Sequence, residues 1–227
     1  MVIKRRALRH DVRDGLVRSI IEGEYGPGDR LIEMQIARQY GTSQAPVREA
    51  LRELELLGFV VSLQHRGTYV RDPWQRGMLE LYEVRAALEE FAARLATPAL
   101  SRDVTALQAE IDAMAEAVAR EDVQGAVEHS EHFHRIIIEA SGNQLLASVW
   151  SGLAISDHTA LTMVALKLDP GALAGSHQPI VDAIAAGDVE GACRVSREHQ
   201  AWFERMLESQ VGASPADESA PADLSIA

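Results

Sequence analysis

A chain of 227 residues, 47% apolar and with a net charge of −12, has enough apolar material for a substantial core and room for two small domains. It holds no run of 18 or more apolar residues and no signal-peptide pattern at Met1, which predicts a cytoplasmic protein with no membrane partner. Its single cysteine, Cys193, excludes an internal disulfide and reads as a small buried hydrophobe in a helix. The acidic average hides an asymmetry. Residues 1–71 carry 12 Lys/Arg against 9 Asp/Glu, whereas residues 72–227 carry 10 against 25. The first part is therefore the one suited to a polyanion. Lys4, Arg5, Arg6, Arg9 and Arg13 crowd its start, a cluster that a solvated helix face would explain equally well.

In chain order, Ala7 to Ile21 places Leu8, Val12, Leu16 and Ile20 on one helical face. Gly23, Gly26, Pro27 and Gly28 break that helix, and a second is predicted over Glu33 to Tyr40. After the turn Gly41-Thr42-Ser43, Ser43 is the expected N-cap of a third helix, which tolerates Pro46 because first-turn amides have no intrahelical acceptor. That helix turns Val47, Ala50, Leu51, Leu54 and Leu57 inward and stops at Gly58. Two strands, 59–63 and 68–70, then flank Gln64-His65-Arg66-Gly67. Three short helices and a β-hairpin make a winged helix-turn-helix over residues 1–72.

No strand signal follows. About six helices are expected, near 74–97, 101–120, 122–141, 143–166, 176–186 and 189–209, forming an all-α bundle over 73–209. The boundary falls at Arg71-Asp72-Pro73. The last residues, 210–227, are rich in Ala, Ser, Pro and Asp and are expected to be disordered. The fold class is thus mainly α, in two domains and a tail.

A helix-turn-helix projects the N-terminal side chains of its second helix into the major groove. Here those are Ser43, Gln44, Ala45 and Arg48. Gln44 suits an adenine edge, Arg48 a guanine or a phosphate, and Ser43 a phosphate. At the wing tip, His65 and Arg66 offer donors beside Gly67, small enough for close approach to a groove. A helical domain whose Arg48 and Arg52 only solvate its surface is the competing reading.

The runs Gly23-Glu24-Tyr25-Gly26-Pro27-Gly28-Asp29-Arg30-Leu31, Gln35-Ile36-Ala37, Ser43 with Pro46-Val47-Arg48-Glu49-Ala50-Leu51, and Gly58 resemble the GntR family of bacterial regulators. The resemblance is dense over about 50 residues. It implies a homodimer that binds a palindromic operator in double-stranded DNA, repression being the commoner mode. Gln44 stands where the family usually has Arg, and Ala45 where it often has Thr or Ser, so the base preference there departs from the family's.

In the second part, three histidines fall on apolar helical stripes. His134 lies with Val127, Ser130, Ile137 and Ile138; His177 with Ile180, Val181 and Ile184; His199 with Ala192, Val195, Trp202 and Met206. Inward imidazoles need partners, and three from three helices can hold zinc or a similar divalent ion with a position left open. Three satisfied core histidines would read the same way. His129, Glu131 and His132 point elsewhere and are read as solvated.

Glu83-x-Arg85-x-x-Leu88-Glu89, Phe133-His134, Ala140-Ser141-Gly142-Asn143, His177-x-x-Ile180, Ala183-Ile184-x-x-Gly187-Asp188 and His199 resemble the helical sensing domain of the FadR branch of that family, the FCD domain, over Leu79 to Leu207. The resemblance implies a divalent metal held by an Asp and the three histidines, completed by a small carboxylate effector. His134, His177 and His199 carry over; the Asp position is Ser130. A three-histidine ion, an ion completed by another residue or by the effector, and no ion all remain open. Arg85, at the edge of the stripe Leu81, Val84, Leu88 and Phe91, is a candidate clamp for the effector carboxylate or a member of an internal ion pair. Asn143 is expected to cap or end a helix.

Two functions follow: a DNA-binding regulator, expected to be a repressor controlled by a small organic acid, or a metal-dependent hydrolase using the histidines to activate water. The second is disfavoured because no carboxylate is evident as a general base beside them.

Overall fold

The computed structural model describes the backbone of residues 2–72 and 76–211 and the side chains of 8–72 and 78–207. The expected tail beyond 211, Pro73 of the expected boundary, and the side chains of Lys4, Arg5 and Arg6 lie outside the described residues. The chain divides into two compact units, one up to Gly77 and one over Met78–Ser209.

The first unit contains α1 (Val2–Ile21), β1 (Arg30–Leu31), α2 (Glu33–Gln39), α3 (Gln44–Leu56), β2 (Val60–Leu63) and β3 (Gly67–Val70). Helix α1 begins five residues before the expected start. Val12, Leu16, Val17 and Ile20 from α1 are buried, as are Val47, Ala50, Leu51 and Leu54 from α3. Ser43 is extended at the head of α3 (φ −89°, ψ 167°), but its hydroxyl makes no capping bond, contrary to expectation. Arg9 and Arg13 of the basic cluster are engaged within the fold: both reach Glu53 of α3, at 3.3 and 2.8 Å.

The sheet is antiparallel in the order β1-β3-β2. Besides the two expected strands, Arg30–Leu31 forms a third, pairing Arg30 with Tyr69 and Leu31 with Thr68. The wing turn is tight: His65 is left-handed (φ 62°), Gly67 has φ 107°, and the Tyr69 hydroxyl donates to the Arg66 carbonyl at 3.0 Å. A Cβ on Gly67 would stand 2.9 Å from Arg30 Nε, an exposed side-chain end that can shift, so it is the positive φ that calls for glycine here.

The second unit is all helical: α4 (Arg76–Leu100), α5 (Thr105–Ala119), α6 (Val123–Ala140), α7 (Gln144–Ser151), α8 (Ile155–Leu166), α9 (Pro170–Gly175), α10 (Gln178–Ala185) and α11 (Val189–Val211). The class is as expected, but the helix over 143–166 is two helices and α9 is additional. Ala154, left-handed at φ 47°, separates α7 from α8. Helix α9 opens with Pro170 at its first position and with the Asp169 carboxylate accepting from the Gly171 amide at 2.9 Å. Asn143 caps α7, accepting from the Leu146 amide at 3.1 Å. The core joins Ala92, Ala93 and Ala96 of α4 to Ile111, Met114, Phe133, Ile137, Ile180 and Ile184.

Helix α4 buries a different face from the one its apolar stripe suggested. Val84, Phe91 and Leu95 are exposed, whereas Tyr82, Arg85, Glu89 and the small alanines are buried. Among the described residues no helix is long and apolar enough to cross a membrane.

Candidate functional site

In the first unit, Ser43, Gln44, Ala45 and Arg48 form an exposed patch on the first turn of α3, with Pro46 and Val47 buried beneath them. His65 and Arg66 are exposed at the wing tip and Gly67 is half-buried. Arg48 is not idle there. Its Nε and one terminal nitrogen donate to both oxygens of Glu33 on α2, at 3.0 and 2.8 Å. The pair draws the Glu33 carboxyl below its ordinary range and raises the guanidinium. A bidentate fork fixes the plane of a side chain, so Glu33 presents Arg48 in one orientation. Glu33 was not singled out from the sequence; its position fifteen residues before Arg48 follows from the length of the turn joining α2 to α3.

In the second unit, the three histidines meet. His134 comes from α6, His177 from the residue heading α10, and His199 from α11; all are buried, and their candidate ligand nitrogens lie within 4.8 Å of one another. His134 Nε2 stands 3.2 Å from His199 Nε2. Each of two rings has its tautomer set from behind. His177 Nδ1 donates to the Leu173 carbonyl at 2.8 Å, leaving Nε2 to accept from the Ser130 hydroxyl at 3.1 Å. His134 Nδ1 faces a Glu89 oxygen at 3.1 Å, leaving Nε2 as a lone-pair nitrogen turned to the cluster. Leu173 belongs to α9, so the helix missed in the sequence is the one that orients His177.

Burial keeps these imidazoles neutral, and for His177 and His199 the neighbouring rings add to it. It lowers His134, pushes His177 down to about 3 and takes His199 well below its ordinary value. Glu89 is the opposite case. Burial alone would raise it, but Arg85, His134 and their hydrogen bonds outweigh burial and hold the carboxyl well below the carboxylate range.

Arg85 therefore does not stand open toward an effector. Its Nε donates to Glu89 at 2.8 Å, one turn along α4, and a terminal nitrogen donates to the Thr159 hydroxyl at 3.1 Å. Glu89 also accepts from Trp150 Nε1 at 3.0 Å and Gln200 Nε2 at 2.6 Å. A carboxylate, Glu89, thus does lie beside the histidines. Yet each oxygen of Glu89 already serves two donors, so it has no lone pair left for a water proton. His129 and His132, read as solvated, are partly exposed and lie beside Glu110 of α5.

Residues 8–70 match the family described as bacterial regulatory proteins, gntR family, and residues 80–201, more than half of the chain, match the FCD domain. The chain belongs to the GntR family. It is 37% identical over 201 residues to the probable D-xylose utilization operon transcriptional repressor of Paenarthrobacter nicotinovorans, covering 88% of this chain and 89% of that one. It is 29% identical over 224 residues to the putative L-lactate dehydrogenase operon regulatory protein of Escherichia coli, covering 88% and 86%. A putative GntR transcriptional regulator from Rhodococcus sp. RHA1 superposes with a TM-score of 0.69 at 25% identity over 91% of this chain and 99% of that one. E. coli McbR/YncC shares the fold at a TM-score of 0.69 and 24% identity, over 89% and 98%. This GntR protein is a DNA-binding transcription regulator and not an enzyme, which removes the hydrolase reading.

Proposed function

We propose that this GntR regulator is a repressor that grips a palindromic operator as a homodimer and changes its grip when a small carboxylate enters the helical domain. Ser43, Gln44, Ala45 and Arg48 read the major groove, and His65, Arg66 and Gly67 follow the backbone beside it. A palindrome calls for a two-fold protein partner, and the exposed stripe Val84, Phe91 and Leu95 on α4 offers apolar surface that a second copy would cover.

The observation that carries the sensing half is the convergence of three neutral, buried imidazoles, two of which, His134 and His177, have their tautomers set from outside the cluster. Carboxylate- and carbonyl-bonded histidines are the usual ligands of zinc-class ions. Nitrogens bound to a tetrahedral zinc stand roughly 3.3 Å apart, close to the 3.2 Å between His134 and His199. The residues present therefore fit a divalent ion held by His134, His177 and His199. When bound, the ion supplies a Lewis-acidic anchor for a carboxylate. Ser130, in place of a carboxylate ligand, donates to His177 Nε2 and must release it for the ring to bind metal. Without an aspartate, the site keeps a place that an exogenous carboxylate fills. A hydroxy acid suits it, since Ser130 pairs with a hydroxyl; the name of one relative, which concerns an L-lactate dehydrogenase operon, agrees with such an acid, whereas that of the other concerns a neutral sugar, D-xylose.

Elemental analysis tests this half. Metal-stripped protein given zinc retains an ion that the His134→Ala/His177→Ala variant loses; equal retention by the two contradicts it. For the DNA half, a duplex selected by the protein from a random pool is bound with steep salt dependence, and binding that is insensitive to salt would contradict the reading.

A further inference from the structure

Helix α6 carries chemistry on two faces. Ser130 and His134 point into the buried cluster, while His129 and His132, one helical turn apart, look outward. On that outer side Glu110 of α5 meets both. One of its oxygens lies 2.8 Å from His129 Nδ1 and 3.9 Å from His132 Nδ1. The two rings stand nearly perpendicular, with centroids 6.0 Å apart. All three ligand-capable atoms fall within 4.8 Å of one another.

We propose that Glu110, His129 and His132 form a second, surface site for a divalent ion of the zinc class, separate from the buried histidines. Two imidazoles and one carboxylate favour zinc, nickel, cobalt or copper over magnesium and calcium, which prefer all-oxygen shells. Three protein ligands leave a position for water, and the side chains are open enough to admit an ion: His129 is 35%, His132 46% and Glu110 23% exposed. Ligands about 2.0–2.1 Å from a tetrahedral ion stand roughly 3.3 Å apart. The observed 2.8 and 3.9 Å bracket that spacing, so small side-chain rotations close the site.

The backbones need not move. Ile111 and Met114 of α5 and Phe133 and Ile137 of α6 are buried in one core beneath the site, and ligands mounted on packed helices hold their geometry better than ligands on loops. An ion there ties α5 to α6, the helix that also supplies His134.

The test uses the full chain, stripped of metal and titrated with zinc and with nickel by calorimetry, with metal content read after gel filtration. Wild-type protein binds one more ion per chain than the His129→Gln/His132→Gln variant, whatever the buried cluster holds, because that cluster is unchanged in both. Glu110→Gln weakens the same ion by at least the roughly 10–100-fold that follows loss of an outer-shell partner. Cobalt(II) added to unaltered protein broadens the imidazole proton signals of His129 and His132, a readout that needs no variant. Identical isotherms for wild type and the double variant, or cobalt broadening that spares both rings, would overturn the proposal.

Discussion

Each unit of the molecule contains an arginine bridged to a glutamate, and the two pairs behave as different objects. Arg48–Glu33 lies at the surface between two short helices, with Arg48 53% exposed. Arg85–Glu89 lies along α4 with both side chains under 5% exposed. Water competes with the first pair at little cost, so it can open when a better anion, such as a DNA phosphate, arrives. The second has no such freedom, because opening it strands a charge in an apolar interior. In the proposed reading the first pair exchanges partners. The second is built to hold His134, Trp150 and Gln200 where they are.

Matched truncations separate the two pairs. Glu89→Ala removes the acceptor of four buried donors and should lower unfolding stability by about 3–5 kcal/mol, seen as an earlier urea midpoint. Glu33→Ala should leave the midpoint within scatter. Similar shifts for the two would erase the distinction.

The second contrast is in pH. His134, His177 and His199 are neutral in the fold, with values below 6.5, and take up protons only in the unfolded chain. Stability of the metal-free protein should therefore fall as pH drops below about 6.5, by up to about 1.4 kcal/mol per pH unit for each such histidine. For His177 the loss runs on toward pH 3. Glu89, held low, adds to it: its contribution is complete above the ordinary carboxylate range and is lost as pH falls through that range and below. Urea titrations at pH 7.5, 6.5 and 5.5 check this; a flat profile would mean that the cluster is already protonated or open to water.

At the surface the readout is DNA. Arg48→Ala should weaken binding to a selected duplex by about tenfold or more in a gel shift while leaving the circular dichroism spectrum unchanged. Undiminished binding would take Arg48 out of the interface. The smallest effect is local: Asn143→Ala, which deletes the α7 cap, should cost about 1 kcal/mol in the same urea assay.

How much of this was legible in the sequence also divides along the chain. The winged unit is written locally. Its turn glycines, the apolar spacing of α3 and the short strand runs each lie within a few residues of what they specify, and the exposed patch comes from Ser43, Gln44, Ala45 and Arg48, within six residues of one another. The buried site is assembled from α4 and from every helix from α6 to α11. Periodicity showed that the three histidines face inward, but not what stands behind them. Glu89 was visible only as part of a motif, because its donors Trp150 and Gln200 lie 61 and 111 residues away. The apolar stripe of α4 pointed to the wrong face, since the buried one carries an ion pair and alanines small enough for close helix packing. Helix α9 had a signal, Asp169-Pro170-Gly171, in which a cap precedes a proline at the first helical position. It was missed because six residues are too few for an apolar period to show.

In the proposed function, occupancy of the buried cluster alters the grip of α3 on DNA. The dissociation constant for the selected duplex, measured in three states of the full chain (metal-stripped, zinc-loaded, and zinc-loaded with excess lactate), tests this. At least one state is expected to differ from the others by roughly fivefold or more, the lower end of ordinary allosteric coupling, and the difference is expected to vanish in the His134→Ala/His177→Ala variant. A single dissociation constant across all three states, with zinc shown to be bound, would contradict it.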